Sequence, residues 1–97
     1  GALHLDPATL EARWNGRVLD LTRREFALLR LLMEQNGRPM ARETIQKHLY
    51  GWDEDVASNA VDVHVHQLRR KVDARIVRTV RGIGYALGHG PELEPDA

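Results

Sequence analysis

Ser58–Asp73, SNAVDVHVHQLRRKVD, is the stretch that decides the fold. At about 100° per residue, Val61, Val65, Leu68 and Val72 fall on one narrow side of a helix. That side is purely aliphatic and must face a core. Asn59, Val63, His66 and Arg70 fall on the opposite side, with Gln67 beside them. Amides, an imidazole and a guanidinium can all hydrogen-bond base edges in a major groove, and an exposed valine can meet a thymine methyl. The same pattern also suits an ordinary surface helix with a solvated polar face. The rest of the chain decides between the two.

Ninety-seven residues make one domain with a single core. The formal net charge is zero, but the charge is not evenly spread. From Asn59 through Tyr85 there are six Lys or Arg and two acids; the remainder holds eight basic and twelve acidic residues. Positive charge is therefore concentrated around the helix quoted above. The absence of cysteine excludes disulfides and thiolate metal sites and fits a reducing cytoplasm. No apolar run approaches membrane-spanning length, and no signal peptide is expected. The abrupt start, with Gly1 read as an expression scar, suggests a fragment of a larger protein.

Upstream, Leu3–Leu21 reads as short antiparallel strands. Leu3 and Leu5 alternate with His4; Leu10, Ala12 and Trp14 alternate with Glu11 and Arg13. Asn15-Gly16 is a two-residue hairpin signal, and Val18–Leu21 forms the return strand. Thr22-Arg23-Arg24-Glu25 spells a capping box opening a helix that runs to about Asn36. Its apolar residues, Phe26, Leu28, Leu29, Leu32 and Met33, cover much of the circumference, so it is expected to be the buried central helix. Gly37 and Pro39 end it. Arg42–Leu49 reads as a second helix anchored by Ile45 and Leu49, with Ala41 where a capping side chain would be expected. Tyr50–Asp55 is a turn with two aromatics and three acids, and Ser58 is the expected cap of the third helix. A hairpin over Arg75–Leu87 follows, turning at Arg81-Gly82-Ile83-Gly84. An arginine at such a tip can enter a minor groove, or simply be solvated. Residues 89–97, rich in Gly, Pro and acids, are expected to be a disordered tail behind a domain over 1–88.

No other chemistry stands out. His64 and His66 lie about 160° apart on a helix, so they cannot chelate one metal from it. Ser58, Asp62 and His64 lack the elbow and oxyanion features of a hydrolase. Gly82-Ile83-Gly84 follows no strand-to-helix pattern and is no nucleotide fingerprint. No catalytic residue, metal site or cofactor is expected. Asp62 is expected to pair with Arg69 or to fix another arginine rather than to touch a base. His64 should be half buried and His66 exposed.

Three motifs, in order and at matching spacing, resemble the effector domain of the OmpR/PhoB family of two-component response regulators. They are Leu21-Thr22-x-x-Glu25-Phe26, Ala60-Val61-Asp62-Val63-His64-Val65-x-x-Leu68-Arg69-Arg70-Lys71-Val72 and Thr79-Val80-Arg81-Gly82-Ile83-Gly84-Tyr85. Tyr50-Gly51-Trp52, Ser58-Asn59-Ala60 and His64-Val65-His66 look most like the PmrA/QseB branch. The resemblance implies an α+β fold: a winged helix-turn-helix with an N-terminal antiparallel sheet, three helices and a C-terminal hairpin wing. It implies binding to direct-repeat DNA as a head-to-tail dimer, driven by a receiver domain that a sensor kinase phosphorylates. Helix 58–73 would enter the major groove, with Asn59, Val63, His66, Gln67 and Arg70 at the bases. Arg42, Tyr50, His64, Arg69 and Thr79 match phosphate contacts, and Arg81 matches the minor-groove residue of the wing. The loop holding Trp52, Asp53, Glu54 and Asp55 matches a segment that touches RNA polymerase. Asn59, Ala60, His66 and Gln67 depart from residues common at their positions, which puts the base preference in doubt. A winged helix used mainly for protein contact is the competing reading; the local positive charge argues against it as the sole function.

Overall fold

The computed structural model describes residues 3–52 and 55–88. Two three-stranded sheets flank three helices. Strands β1 (Leu3–Asp6), β2 (Glu11–Trp14) and β3 (Arg17–Leu19) form an antiparallel meander in that order. Leu3 pairs with Trp14 and Ala12 with Leu19, so these four side chains share one face, and all four are buried. Asn15 and Gly16 both adopt positive φ, 52° and 79°, which closes the hairpin in two residues. Leu10 is not part of β2. It sits in the preceding turn with φ of 59°, and β3 stops at Leu19 rather than Leu21.

Helix α1 (Arg23–Glu34) is two residues shorter than its sequence pattern suggested, because Asn36 and Gly37 both turn left-handed. Its start is the expected capping box. Thr22 Oγ1 accepts from the Glu25 N–H at 3.1 Å, and Glu25 Oε1 accepts from the Thr22 N–H at 2.9 Å. Phe26, Leu28, Leu29 and Leu32 are buried. Helix α2 (Arg42–Tyr50) starts at Ala41 without a side-chain cap, as the sequence implied. Helix α3 (Ala60–Lys71) is shorter than 58–73. Ser58 does not cap it. The Ala60 N–H bonds the Ala57 carbonyl in a turn, and Asn59 becomes the N-cap, its carbonyl taking the first helical bond from Val63. The aliphatic stripe of α3 is as expected: Val61, Val65, Leu68 and Val72 are all buried.

The second sheet was only partly visible in the sequence. Strands β5 (Val77–Val80) and β6 (Gly84–Leu87) form the hairpin, and a third strand, β4 (Met40–Ala41), pairs with β6 in the order β4-β6-β5. Gly84 permits this pairing. It lies opposite Ala41, and a Cβ on it would stand 2.0 Å from the Met40 carbonyl oxygen. Any side chain there would push β4 away from the wing.

One ion pair crosses the core. Lys71 Nζ, at the end of α3, lies 2.7 Å from Glu25 Oε1 on α1; the Glu25 side chain is 3% exposed and that of Lys71 33%. Burial pushes the Glu25 carboxyl up, yet the Lys71 bond, the Thr22 N–H and the Lys71 charge together hold it below the usual carboxylate value. Lys71→Met should therefore cost about 2 kcal/mol at neutral pH, since it strands a buried carboxylate while the lost ammonium was partly solvated. A carboxyl lowered by folding contributes fully above its unfolded value, and its contribution disappears as pH falls through the folded one. Urea denaturation should thus show the gap between parent and variant shrinking as pH falls through the ordinary carboxylate range. Equal stability at pH 7 would contradict the assignment.

Candidate nucleic-acid interface

The face of α3 opposite its buried stripe is open. Asn59, His66 and Arg70 are exposed, Gln67 is half buried, and Val63 is 45% exposed. Asn59 spends no side-chain bond on capping, so its amide remains available. The five residues expected at the bases thus lie together along one side of the helix.

Side chains expected to hold phosphates border this face in pairs. Tyr50, the last residue of α2, places its hydroxyl 2.5 Å from His64 Nε2. His64 is half buried and His66 exposed, as expected. Burial lowers the His64 pKa and the Arg24 charge lowers it further, against an upward pull from Glu25. Thr79 and Arg69 also meet. Arg69 Nε and Nη2 donate to the Val77 carbonyl at 3.0 and 2.8 Å, and Nη2 reaches Thr79 Oγ1 at 3.0 Å. Arg69 therefore ties α3 to β5 with most of its guanidinium, leaving Nη1 for any outside acceptor.

The third group involves a residue expected only to fix an arginine. Asp62 Oδ2 lies 3.0 Å from Arg42 Nη2, and its Oδ1 accepts from the Tyr85 hydroxyl at 2.5 Å. The partner is Arg42, not Arg69. One carboxylate on α3 thereby holds the first residue of α2 and a residue of the wing strand. Burial raises the Tyr85 pKa, and the bond to Asp62 raises it further, so the phenol stays protonated and donating. Sequence spacing could not reveal Tyr85 here, because the contact spans 23 residues. Arg24 was missed as well: its guanidinium carbon stands 4.1 Å from the centre of the Tyr50 ring.

At the wing tip, the Ile83 N–H bonds the Val80 carbonyl at 3.0 Å and Gly82 takes φ of 79°. Arg81 and Ile83 are both exposed there. An open cavity of about 390 Å³ separates the tip from Arg42 and Tyr85. Trp52 is 85% exposed, with the Lys47 ammonium 5.1 Å from its ring centre. Of the remaining loop residues singled out from sequence, Asp55 is exposed, and Asp53 and Glu54 lie outside the described residues. Among the described residues no His, Asp and Glu cluster could hold a metal ion, and no helix is long and apolar enough to cross a membrane.

A three-helix core, a recognition-type helix and a three-stranded wing define a winged-helix domain. Residues 16–87 match the family model described as "Transcriptional regulatory protein, C terminal". The response regulator protein PmrA of Pseudomonas aeruginosa is 52% identical over 87 residues, covering 90% of this chain and 39% of that protein. The transcriptional regulatory protein QseB of Escherichia coli is 53% identical over 88 residues, covering 91% of this chain and 40% of that protein. The DNA-binding domain of Klebsiella pneumoniae RstA, solved in complex with the RstA box, superimposes with a TM-score of 0.79 at 29% identity, covering 91% of this chain and 92% of that one. This chain belongs to the effector domains of OmpR/PhoB-type response regulators, in the PmrA/QseB branch. It spans about two fifths of the length of these two curated relatives.

Asp62→Asn keeps the shape of the bridge but removes its charge. The Tyr85 phenol should then titrate at lower pH than in the parent. Ultraviolet titration in a Tyr50→Phe background, where Tyr85 is the single remaining tyrosine, reads this directly. An unmoved titration would show that Asp62 does not control Tyr85.

Proposed function

We propose that this chain reads specific double-stranded DNA and controls transcription as the output half of a two-component response regulator. The observation that carries it is the polar face of α3, bare along its length while its opposite side is buried. Helix α3 lies in the major groove, with Asn59, Val63, His66, Gln67 and Arg70 at base edges. Arg42, Tyr50, His64 and Thr79 grip the backbone on either side, while Arg69 contributes mainly by holding β5. Arg81 probes the minor groove from the wing. Relatives more than twice this length leave room for a receiver domain, phosphorylated in the cytoplasm by a sensor kinase, that drives head-to-tail pairing on direct repeats. Trp52, held by Lys47 and almost fully exposed, supports the loop after α2 as the contact with RNA polymerase.

Selection of bound duplexes from a random library tests the reading. Two direct half-sites about one helical turn apart should be enriched. Recovery of unenriched sequence with salt-sensitive bulk binding would assign specificity to the receiver-driven dimer. No binding at low salt would move the function to protein contact.

Replacing Arg81 with Ala should weaken sites with A·T-rich flanks most, because narrow A·T minor grooves carry the deepest negative potential. Gel-shift titration on duplexes differing only in the flank measures this. Equal loss on every flank would remove Arg81 from the minor groove.

A further inference from the structure

We infer that Arg24, in the first turn of α1, binds a backbone phosphate, so that the duplex is held by α1 as well as by the two helices of the helix-turn-helix. The inference rests on the DNA-binding reading above and adds a contact to it.

Three helices bring one side chain each to a single spot: Arg24 from α1, Tyr50 from α2 and His64 from α3. The Arg24 guanidinium carbon is 4.1 Å from the Tyr50 ring centre, and the Tyr50 hydroxyl is 2.5 Å from His64 Nε2. At that distance the guanidinium gains a cation–π contact with the ring. A stacked guanidinium is held in place while its N–H groups remain free to donate to a phosphate.

The charge of Arg24 is also unspent. Arg13, Arg30, Arg42 and Arg75 each pair with a carboxylate within 3.2 Å. Arg24 has no such partner among the described residues. Its sequence neighbour Glu25 is turned inward, with Oε1 taken by Lys71 and by the Thr22 N–H. Arg24 itself is exposed. Beside it opens a groove of about 620 Å³ between the start of α1 and the end of α2, walled in part by Arg23, Arg24, His48 and His64 and by no carboxylate. A phosphodiester matches that lining in charge and hydrogen-bond sense, and Tyr50 and His64 are already assigned to phosphate.

The alternative role for Arg24 is packing on Tyr50. The two roles separate in the salt dependence of binding, which counts phosphates neutralised and is blind to packing. The 97-residue chain, its Arg24→Gln variant and its Arg24→Lys variant would be titrated against the duplex enriched by the selection, over a series of salt concentrations. Arg24→Gln should bind about tenfold more weakly at low salt, by a similar factor on altered flanks. Its plot of log affinity against log salt should be shallower by about 0.9. Arg24→Lys, which keeps the charge, should restore most of the slope. A parent-like slope in Arg24→Gln, with or without a lower melting temperature, would overturn the inference while leaving the DNA-binding reading intact. Failure of the parent to bind any duplex at low salt would overturn both.

Discussion

The Glu25 carboxylate is the constraint on which the other elements depend. It closes the capping box at the start of α1 and accepts from Lys71 at the end of α3. A buried charge is tolerated only when it is paired and hydrogen-bonded, and Oε1 of this one side chain meets both conditions by fixing two helices against each other. The direction of α3 follows from that bond and from its aliphatic stripe. The polar face of α3 then points outward by geometry, since it lies opposite the stripe.

Around that face, polar side chains are joined to one another within the domain. Tyr50 with His64, Arg69 with Thr79, and Arg42 with Asp62 and Tyr85 are all in contact. Long side chains lose rotamer freedom when they grip a ligand, and pairing them in advance reduces that loss. The arrangement also reconciles a neutral chain with an anionic partner. The overall charge is zero, yet the acids near α3 serve as holders of cations. Asp62 orients Arg42, and Glu25 is buried behind Lys71.

Much of the frame was legible in the sequence because it is encoded locally. The spacing of Val61, Val65, Leu68 and Val72 assigned both faces of α3. The Thr22–Glu25 box assigned the start of α1, and Asn15-Gly16 assigned the first hairpin. What escaped depends on contacts distant in sequence. Met40-Ala41 is too short to show alternation, and it is a strand only because Gly84 lets β6 come close. Leu10 belongs to a left-handed turn that an apolar residue does not announce. Ser58 resembles a cap, but the Ala57 turn moves the helix start past it. Arg24 and Tyr85 carry no signal of their own; their places follow from helix packing on helix and strand packing on helix across 26 and 23 residues, the separations from Tyr50 and from Asp62. Asp62 was correctly read as a holder of arginine, though its partner could not be chosen from spacing.

The stitching of the wing has a mechanical consequence. Strand β6 is bonded to β4 on one side and β5 on the other, and its tyrosine is bonded to α3. The hairpin is thus part of the same solid body as the helix beside it. On the reading proposed above, the domain would act as a calliper with fixed jaws, α3 for the major groove and the wing for the minor. Such a tool measures a set distance along the duplex axis as well as reading letters. One extra base pair between the two points of contact rotates one groove by about 34° relative to the other, a mismatch that DNA rather than protein would have to absorb by twisting.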